Sequence, residues 1–288
     1  MKSFFKIFLL SIGVFNAQAA TLIPSEVTDG WIAKYSPEEL TAIQADQHII
    51  SSIFLEGKKA SPKPIYLATA GGPGSMKSTI LENYLSDDNY VRADPDAYGL
   101  RYMVNTYIPA TGPHAQSQSP EYLKVAYEKW RGGSNYIANN ILNVAFEHKL
   151  NIAHGTTSTS PHIGKLYEKL KTESYRIELL LCDTTDENRI AYIANREKTF
   201  YQSTPEDAVE KAKAFYERMP VYFKYADTIK FFWTDDFNKG SVQWGNWDRK
   251  DGLNIMNKEA FEKFVDRYEK YRASKPELLP FNSLTSIK

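Results

Sequence analysis

Residues 65 to 79 read Ile65-Tyr-Leu-Ala-Thr-Ala-Gly-Gly-Pro-Gly-Ser-Met-Lys-Ser-Thr79. An apolar segment with strand character, Ile65 to Ala70, runs into glycines, then Lys77-Ser78, then a helical stretch from Thr79 to Leu85. That order is the layout of a phosphate-binding loop. Backbone N–H groups and a helix N-terminus hold phosphates, the lysine meets their charge, and the hydroxyl holds Mg²⁺. The reading assigns Gly71, Gly72, Pro73, Gly74, Ser75, Met76, Lys77, Ser78 and Thr79 to nucleotide binding, with Ser78 reaching Mg²⁺ beside the phosphates. One position departs from the pattern. Glycine is expected just before the lysine, and Met76 stands there; at positive φ its side chain would cost roughly 1–2 kcal/mol. A strand-to-helix turn that binds nothing is the competing reading.

Working outward, four further apolar segments have strand character: Tyr90 to Ala93, Leu150 to Ala153, Tyr175 to Cys182 and Thr228 to Trp233. Each of the five leads into a turn and a helical stretch, which predicts a mostly parallel five-stranded sheet with helices on both faces, an α/β fold. Ligands in such sheets sit at the carboxyl ends of the strands. Those ends are Ala70-Gly71, Asp94, His154-Gly155, Asp183 and Thr234-Asp235.

The flanks read as additions to that domain, taken as residues 63–240. Residues 21–62 give a loose lead-in up to Tyr35, then a helix opened by Ser36-Pro37-Glu38-Glu39, a capping box with proline at its first position. Residues 109–120 are rich in Pro, Gly, Gln and Ser and read as an exposed loop. Thr204-Pro205 opens a long helix. Gly240 to Asp248 reads as a loop rich in Trp and Asn, either a sugar-stacking surface or a buried aromatic plug. Asn257 caps a helix with one apolar stripe, and the tail after Pro276 reads as frayed.

Residues 1–20 have the three parts of a secretory signal: Lys2 and Lys6, an apolar run from Ile7 to Phe15, and Ala17-Gln18-Ala19. The run is shorter than the roughly 20 residues a spanning helix needs. The mature product is expected to be exported and free of the membrane. Basic and acidic residues balance at 35 each among 288, which gives no basic face for nucleic acid. Cys182 is the only cysteine, so the core must hold the fold without an internal disulfide.

With the loop in place, the chain from about Ile65 to Asp235 resembles the zeta-toxin family, kinases that phosphorylate UDP-activated amino sugars. The resemblance implies ATP and Mg²⁺ as cofactors, and Asp94-Pro95-Asp96 stands where the family has Asp-x-Asp. Asp96 then inherits the role of catalytic base, and Asp94 that of a substrate contact; an Asx-Pro turn ending the strand is the alternative. His154-Gly155-Thr156-Thr157-Ser158 stands where the family shows Glu-Gly-Thr-x-Arg. Thr156 carries over as a substrate contact, while His154 and Ser158 only occupy equivalent places, which implies a different substrate. Arg189 fits the first phosphate-clamping arginine, and Arg196 lies two turns further on the same face. Gln202 stands where the second clamp belongs, with Arg196 or Lys198 as substitutes. An antitoxin partner is a family trait that nothing in this sequence indicates.

The expected function is ATP-dependent phosphoryl transfer to a hydroxyl of a sugar-nucleotide or similar metabolite. The departures at Met76, His154, Ser158 and Gln202 also fit a binding protein or secreted effector that kept the fold and lost the chemistry.

Overall fold

The computed structural model describes residues 21–85, 87–112, 120–196 and 200–287. The signal segment, Lys198 and most of the Pro/Gln/Ser-rich loop lie outside them.

Seven strands, not five, form one sheet in the order β2-β3-β1-β4-β5-β6-β7. They are β1 (Ile65–Ala70), β2 (Tyr90–Ala93), β3 (Asn151–His154), β4 (Arg176–Thr184), β5 (Thr228–Asp236), β6 (Gly240–Asp248) and β7 (Gly252–Ile255). The first five run parallel. β6 and β7 extend them as an antiparallel hairpin on β5. The expected parallel sheet is correct; of the two added strands, β6 is the segment read as an aromatic loop and β7 lies just after it.

Alternation along a strand sends neighbouring side chains to opposite faces. On β4, Ile177, Leu179 and Leu181 join the large core, while Leu180 and Cys182 join a smaller cluster with Ile80 and Leu81. That smaller face is covered by α3 (Lys77–Tyr84), the helix that follows the glycine-rich turn. The opposite face carries α5 (Pro120–Glu147), α6 (Ile163–Thr172), α9 (Met219–Tyr225) and α10 (Lys258–Ala273). Burial on both faces explains why β4 is nearly continuous in apolar residues.

The lead-in is ordered rather than loose. α1 (Ser25–Gly30) and α2 (Pro37–Leu55) lie against α5, with Leu22 buried and the Ile23 amide bonded to Asn143. The capping box at Ser36 and Glu39 forms as the sequence predicts. Gly132 and Gly133 on α5 make the close approach possible. A Cβ on Gly132 would meet the Trp31 carbonyl at 2.6 Å, and one on Gly133 would crowd Ile43 at 3.0 Å. Part of the 109–120 segment is helical too, as α4 (Tyr107–Thr111).

Trp244 and Trp247 are fully buried, so the aromatic segment is a plug carried on a strand. Phe231 pairs with Gly245 and Phe232 with Gln243, which leaves Trp244 as the extra residue of a β-bulge. The bulge turns Trp244 onto Phe231 at 4.4 Å, on the face where Trp247 packs against Phe223. The tail is not frayed either. α11 (Phe281–Thr285) buries Phe281 and Leu284 in the same core. No helix among the described residues is long and apolar enough to cross a membrane.

Candidate active site

The carboxyl ends of β1, β2 and β3 open into a cavity of about 300 Å³. Its floor is the glycine-rich loop, which closes into a compact turn. The Gly71 amide donates to the Thr157 carbonyl at 3.0 Å, and Ser75 Oγ donates to the Gly72 carbonyl at 2.9 Å. Gly74 has φ +76°, and a Cβ there would strike the side chain and carbonyl of Arg189. Met76 does take the left-handed conformation, with φ 58° and ψ 20°, immediately before α3 begins. Its side chain packs with Ile80 and Leu81, and its sulfur accepts from Ser241 Oγ at 3.7 Å. The loop is therefore neither splayed nor plugged by the methionine.

Lys77 lies half-buried at the cavity floor and donates to the Gly72 carbonyl at 2.7 Å. Burial lowers its pKa to about 7, and the charges of Arg189 and Arg196 push the same way. Ser78 and Thr79 open toward solvent on the first turn of α3 and line the cavity.

Asp94 and Asp96 behave differently. Asp94 Oδ1 accepts from the Asp96 and Ala97 amides at 2.7 and 2.9 Å, capping the single turn Pro95–Gly99. Burial, then the neighbouring Asp96 charge, raises its pKa to about 6. The Asx-turn reading thus describes Asp94. Asp96 projects into the cavity and is ion-paired with Arg131.

His154 lines the cavity with its Nδ1 bonded to Tyr66 Oη at 2.6 Å, and burial lowers its pKa to about 4, so the ring is neutral at pH 7. Thr156 lines it as well, although its hydroxyl already accepts from the Ser158 amide. Ser158 is buried beneath, bonded to the Thr69 carbonyl and to Tyr167.

The two arginines separate. Arg196, the last residue of α7 (Asp186–Arg196), which packs beside α8 (Pro205–Glu217), lines the cavity. Arg189 does not. It is fully buried behind the loop, donating to the Pro73 carbonyl at 2.7 Å and to Asp183 at 2.8 Å. The spacing was right about the shared helix face, but the face runs from under the loop to its edge. A phosphate clamp at Arg189 is therefore corrected to a support for the loop. Gln202 lines the cavity where the second clamp was expected.

Tyr127, Arg131, Asn135, Tyr192, Ser203 and Lys211 also line the cavity and were missed. The signal available for Arg131 was the Gly132-Gly133 pair beside it, which marks a helix pressed close to its neighbours. Tyr192 stacks on Phe237 of the β5–β6 turn at 4.3 Å and closes one side. No group of three or more His, Cys, Asp or Glu side chains gathers to hold a metal among the described residues. Ser78, exposed on the first turn of α3, is the residue that would hold Mg²⁺, which keeps few protein ligands and takes the rest from phosphates and water.

The zeta toxin family profile matches residues 52–218. Among solved structures, AvrRxo1-ORF1:-ORF2 with ATP aligns with a TM-score of 0.59 at 12% identity, over 94% of this chain and 97% of that one. AvrRxo1-ORF1:AvrRxo1-ORF2 with sulphate ions aligns with a TM-score of 0.51 at 14% identity, over 94% and 92%. A structure from the PezAT toxin–antitoxin system of Streptococcus pneumoniae aligns at 0.49 and 16% identity, over 85% and 99%. At these identities the first two likenesses establish the fold. No curated protein matches.

Proposed function

The chain belongs to the zeta-toxin family, and on that premise we propose that it is a Mg-ATP-dependent phosphotransferase acting on a hydroxyl of a sugar-nucleotide or similar small metabolite. The observation that carries the proposal is one cavity in which Lys77 and Ser78 of a closed loop share space with Asp96, Arg196 and Thr156. The loop amides and Lys77 would hold the triphosphate, and Ser78 would hold Mg²⁺, whose charge when bound neutralises that of the phosphoryl oxygens. Arg196 meets the charge that develops on the transferred group. Asp96 orients the acceptor hydroxyl and takes its proton as the oxygen bonds to the γ-phosphorus and ADP leaves. Arg189 and Asp183 keep the loop in shape from behind. That a protein of the same fold is known with ATP bound supports the nucleotide assignment.

A second reading, a binding protein without catalysis, is favoured by two observations: Gln202 in place of an arginine and Arg131 on the candidate base. Calorimetric titration with a non-hydrolysable ATP analogue and Mg²⁺ separates the two. The kinase reading expects micromolar binding that Lys77→Ala abolishes. Absence of binding in the unaltered protein would leave only the scaffold.

We also propose that residues 1–20 direct export, after which the enzyme works where ATP is plentiful, inside a host or competitor cell. Mass spectrometry of the protein recovered outside the cytoplasm should find a new N-terminus close to Ala19 or Ala20. Recovery of the intact Met1 form in the cytoplasm would refute export.

A further inference from the structure

We infer that Tyr66 fixes His154 as a one-way hydrogen-bond donor in the middle of the cavity floor, so that the phosphate acceptor must bring a free lone pair to it; this rests on the kinase reading above. Tyr66 is fully buried, and burial lifts its hydroxyl pKa well above the ordinary tyrosine range, so the group keeps its proton. A buried hydroxyl gives that proton to an acceptor. His154 Nδ1, at 2.6 Å, is the only partner it has among the described residues. Tyr167, whose ring lies edge-on at 6.2 Å, directs its own hydroxyl to Ser158 Oγ. The Tyr66 hydroxyl therefore donates, and Nδ1 accepts. The imidazole is neutral at pH 7, since burial lowers its pKa to about 4, and a neutral ring carries one proton. With Nδ1 accepting, that proton sits on Nε2. The opposite arrangement would leave the Tyr66 proton buried and unpaired.

Strand register puts this donor at the reacting centre. Nε2 is bonded to no described residue and is not closed off from solvent, so it opens on the cavity that His154 lines. β3 runs between β1 and β2, where His154 pairs with Ala68 on one side and Ala93 on the other. Alanine on both sides leaves the ring uncovered. The phosphate loop follows β1, and Asp94-Pro95-Asp96 follows β2. His154 thus stands one strand spacing, about 4.8 Å, from the line of each. A Cβ on Gly155 would meet Asp94 Oδ2 at 2.1 Å, so the acidic turn sits directly against this strand end. The Nε2–H group lies between the loop that holds the donor phosphates and the carboxylate that takes the proton. That is where the body of the acceptor must lie.

A neutral imidazole held in this form donates at Nε2 and cannot accept there. A carbonyl, ether or hydroxyl oxygen, or an unprotonated ring nitrogen, finds a bond at that point. An ammonium or an amide N–H finds another hydrogen. A carboxylate in the same place would select the reverse. The acceptor class is thus a hydroxyl compound that carries such a lone pair close to the hydroxyl that reacts. Tyr66 touches no part of it and acts through His154, as a positioning residue.

The first test is spectroscopic and needs no acceptor. Two-bond proton–nitrogen spectra of the mature protein, labelled at its histidines, report the tautomer of each ring at pH 7, and the His154 signals are those missing from His154→Gln. The unaltered protein should show the Nε2–H form, and Tyr66→Phe should admit a measurable share of the Nδ1–H form. An Nδ1–H ring in the unaltered protein, or a tautomer unmoved in Tyr66→Phe, overturns the inference while the kinase reading stands. The second test incubates the protein with γ-labelled ATP and a small-molecule cell extract, and purifies the compound that takes the label. For that acceptor, His154→Leu should raise KM about 10-fold or more with kcat within threefold, and His154→Gln, whose amide keeps a donor, should recover most of the loss. Affinity for the non-hydrolysable ATP analogue should change less than twofold in all three variants, which also shows that they fold. An unchanged KM in His154→Leu, an equal loss in His154→Gln, or an acceptor with no lone pair near its reacting hydroxyl overturns the inference. Analogue binding without transfer to any compound overturns it as well. Failure of the unaltered protein to bind the analogue removes the kinase reading, and the inference with it.

Discussion

Lys77 carries a consequence that can be measured without knowing the acceptor. Its ammonium keeps a proton up to pH 10.5 in the unfolded chain but only to about 7 in the folded one. Between those values the unfolded chain binds more protons, so this group makes stability climb with pH. Thermal midpoints should rise from pH 7 to pH 9.5, and Lys77→Met should flatten that rise and be the more stable protein at pH 7. A slope unaffected by the substitution would mean that the Lys77 ammonium keeps its water at the cavity floor. Asp96→Asn should lower turnover by about 10²–10⁴ with the affinity for the ATP analogue within threefold, since the carboxylate acts on the acceptor proton. Equal loss of nucleotide binding would place Asp96 in the wrong role. Met76 shows why the loop survives a misfit residue. Left-handed backbone costs it roughly 1–2 kcal/mol, and contacts with Ile80 and Leu81 offset part of that. The loop was legible because its residues are contiguous. Arg131 was not, because it meets Asp96 from 35 residues away.

At the scale of elements, α7 holds two arginines with separate duties. Arg189→Ala takes the nearer cation from buried Asp183, which keeps Tyr216 and the more distant Arg267, and should cost about 3 kcal/mol in urea unfolding. Arg196→Ala should cost less stability than Arg189→Ala and lower kcat by about 10³. If the two variants exchanged these effects, the assignment of clamp and support would be reversed. Periodicity told only that both arginines share a face; how deep each sits depends on where the loop crosses the helix. The same limit applies to β6. Its glycines, asparagine and unpaired Trp244 break the alternation that marks a strand, so its pattern reads as a loop. β1 and β4 had no such interruption and were legible nearly to the residue.

Across the whole molecule, the principal core runs from Leu22 and Tyr35 near one end of the described chain to Phe281 and Leu284 near the other. The segment up to Tyr35 was read as loose and the tail after Pro276 as frayed because neither has a long apolar run; each contributes a few large residues that gain their worth only through tertiary contact. Phe281 touches Phe223, Phe231, Trp244 and Phe264. Phe281→Ala should therefore destabilise the protein by about 3–5 kcal/mol, read as an earlier urea midpoint, and a loss below 1 kcal/mol would mean that α11 is only loosely seated. This placement also sets a timetable. A growing chain cannot complete its aromatic centre until Phe281 has emerged, so this part of the core closes after the strands it covers have been made.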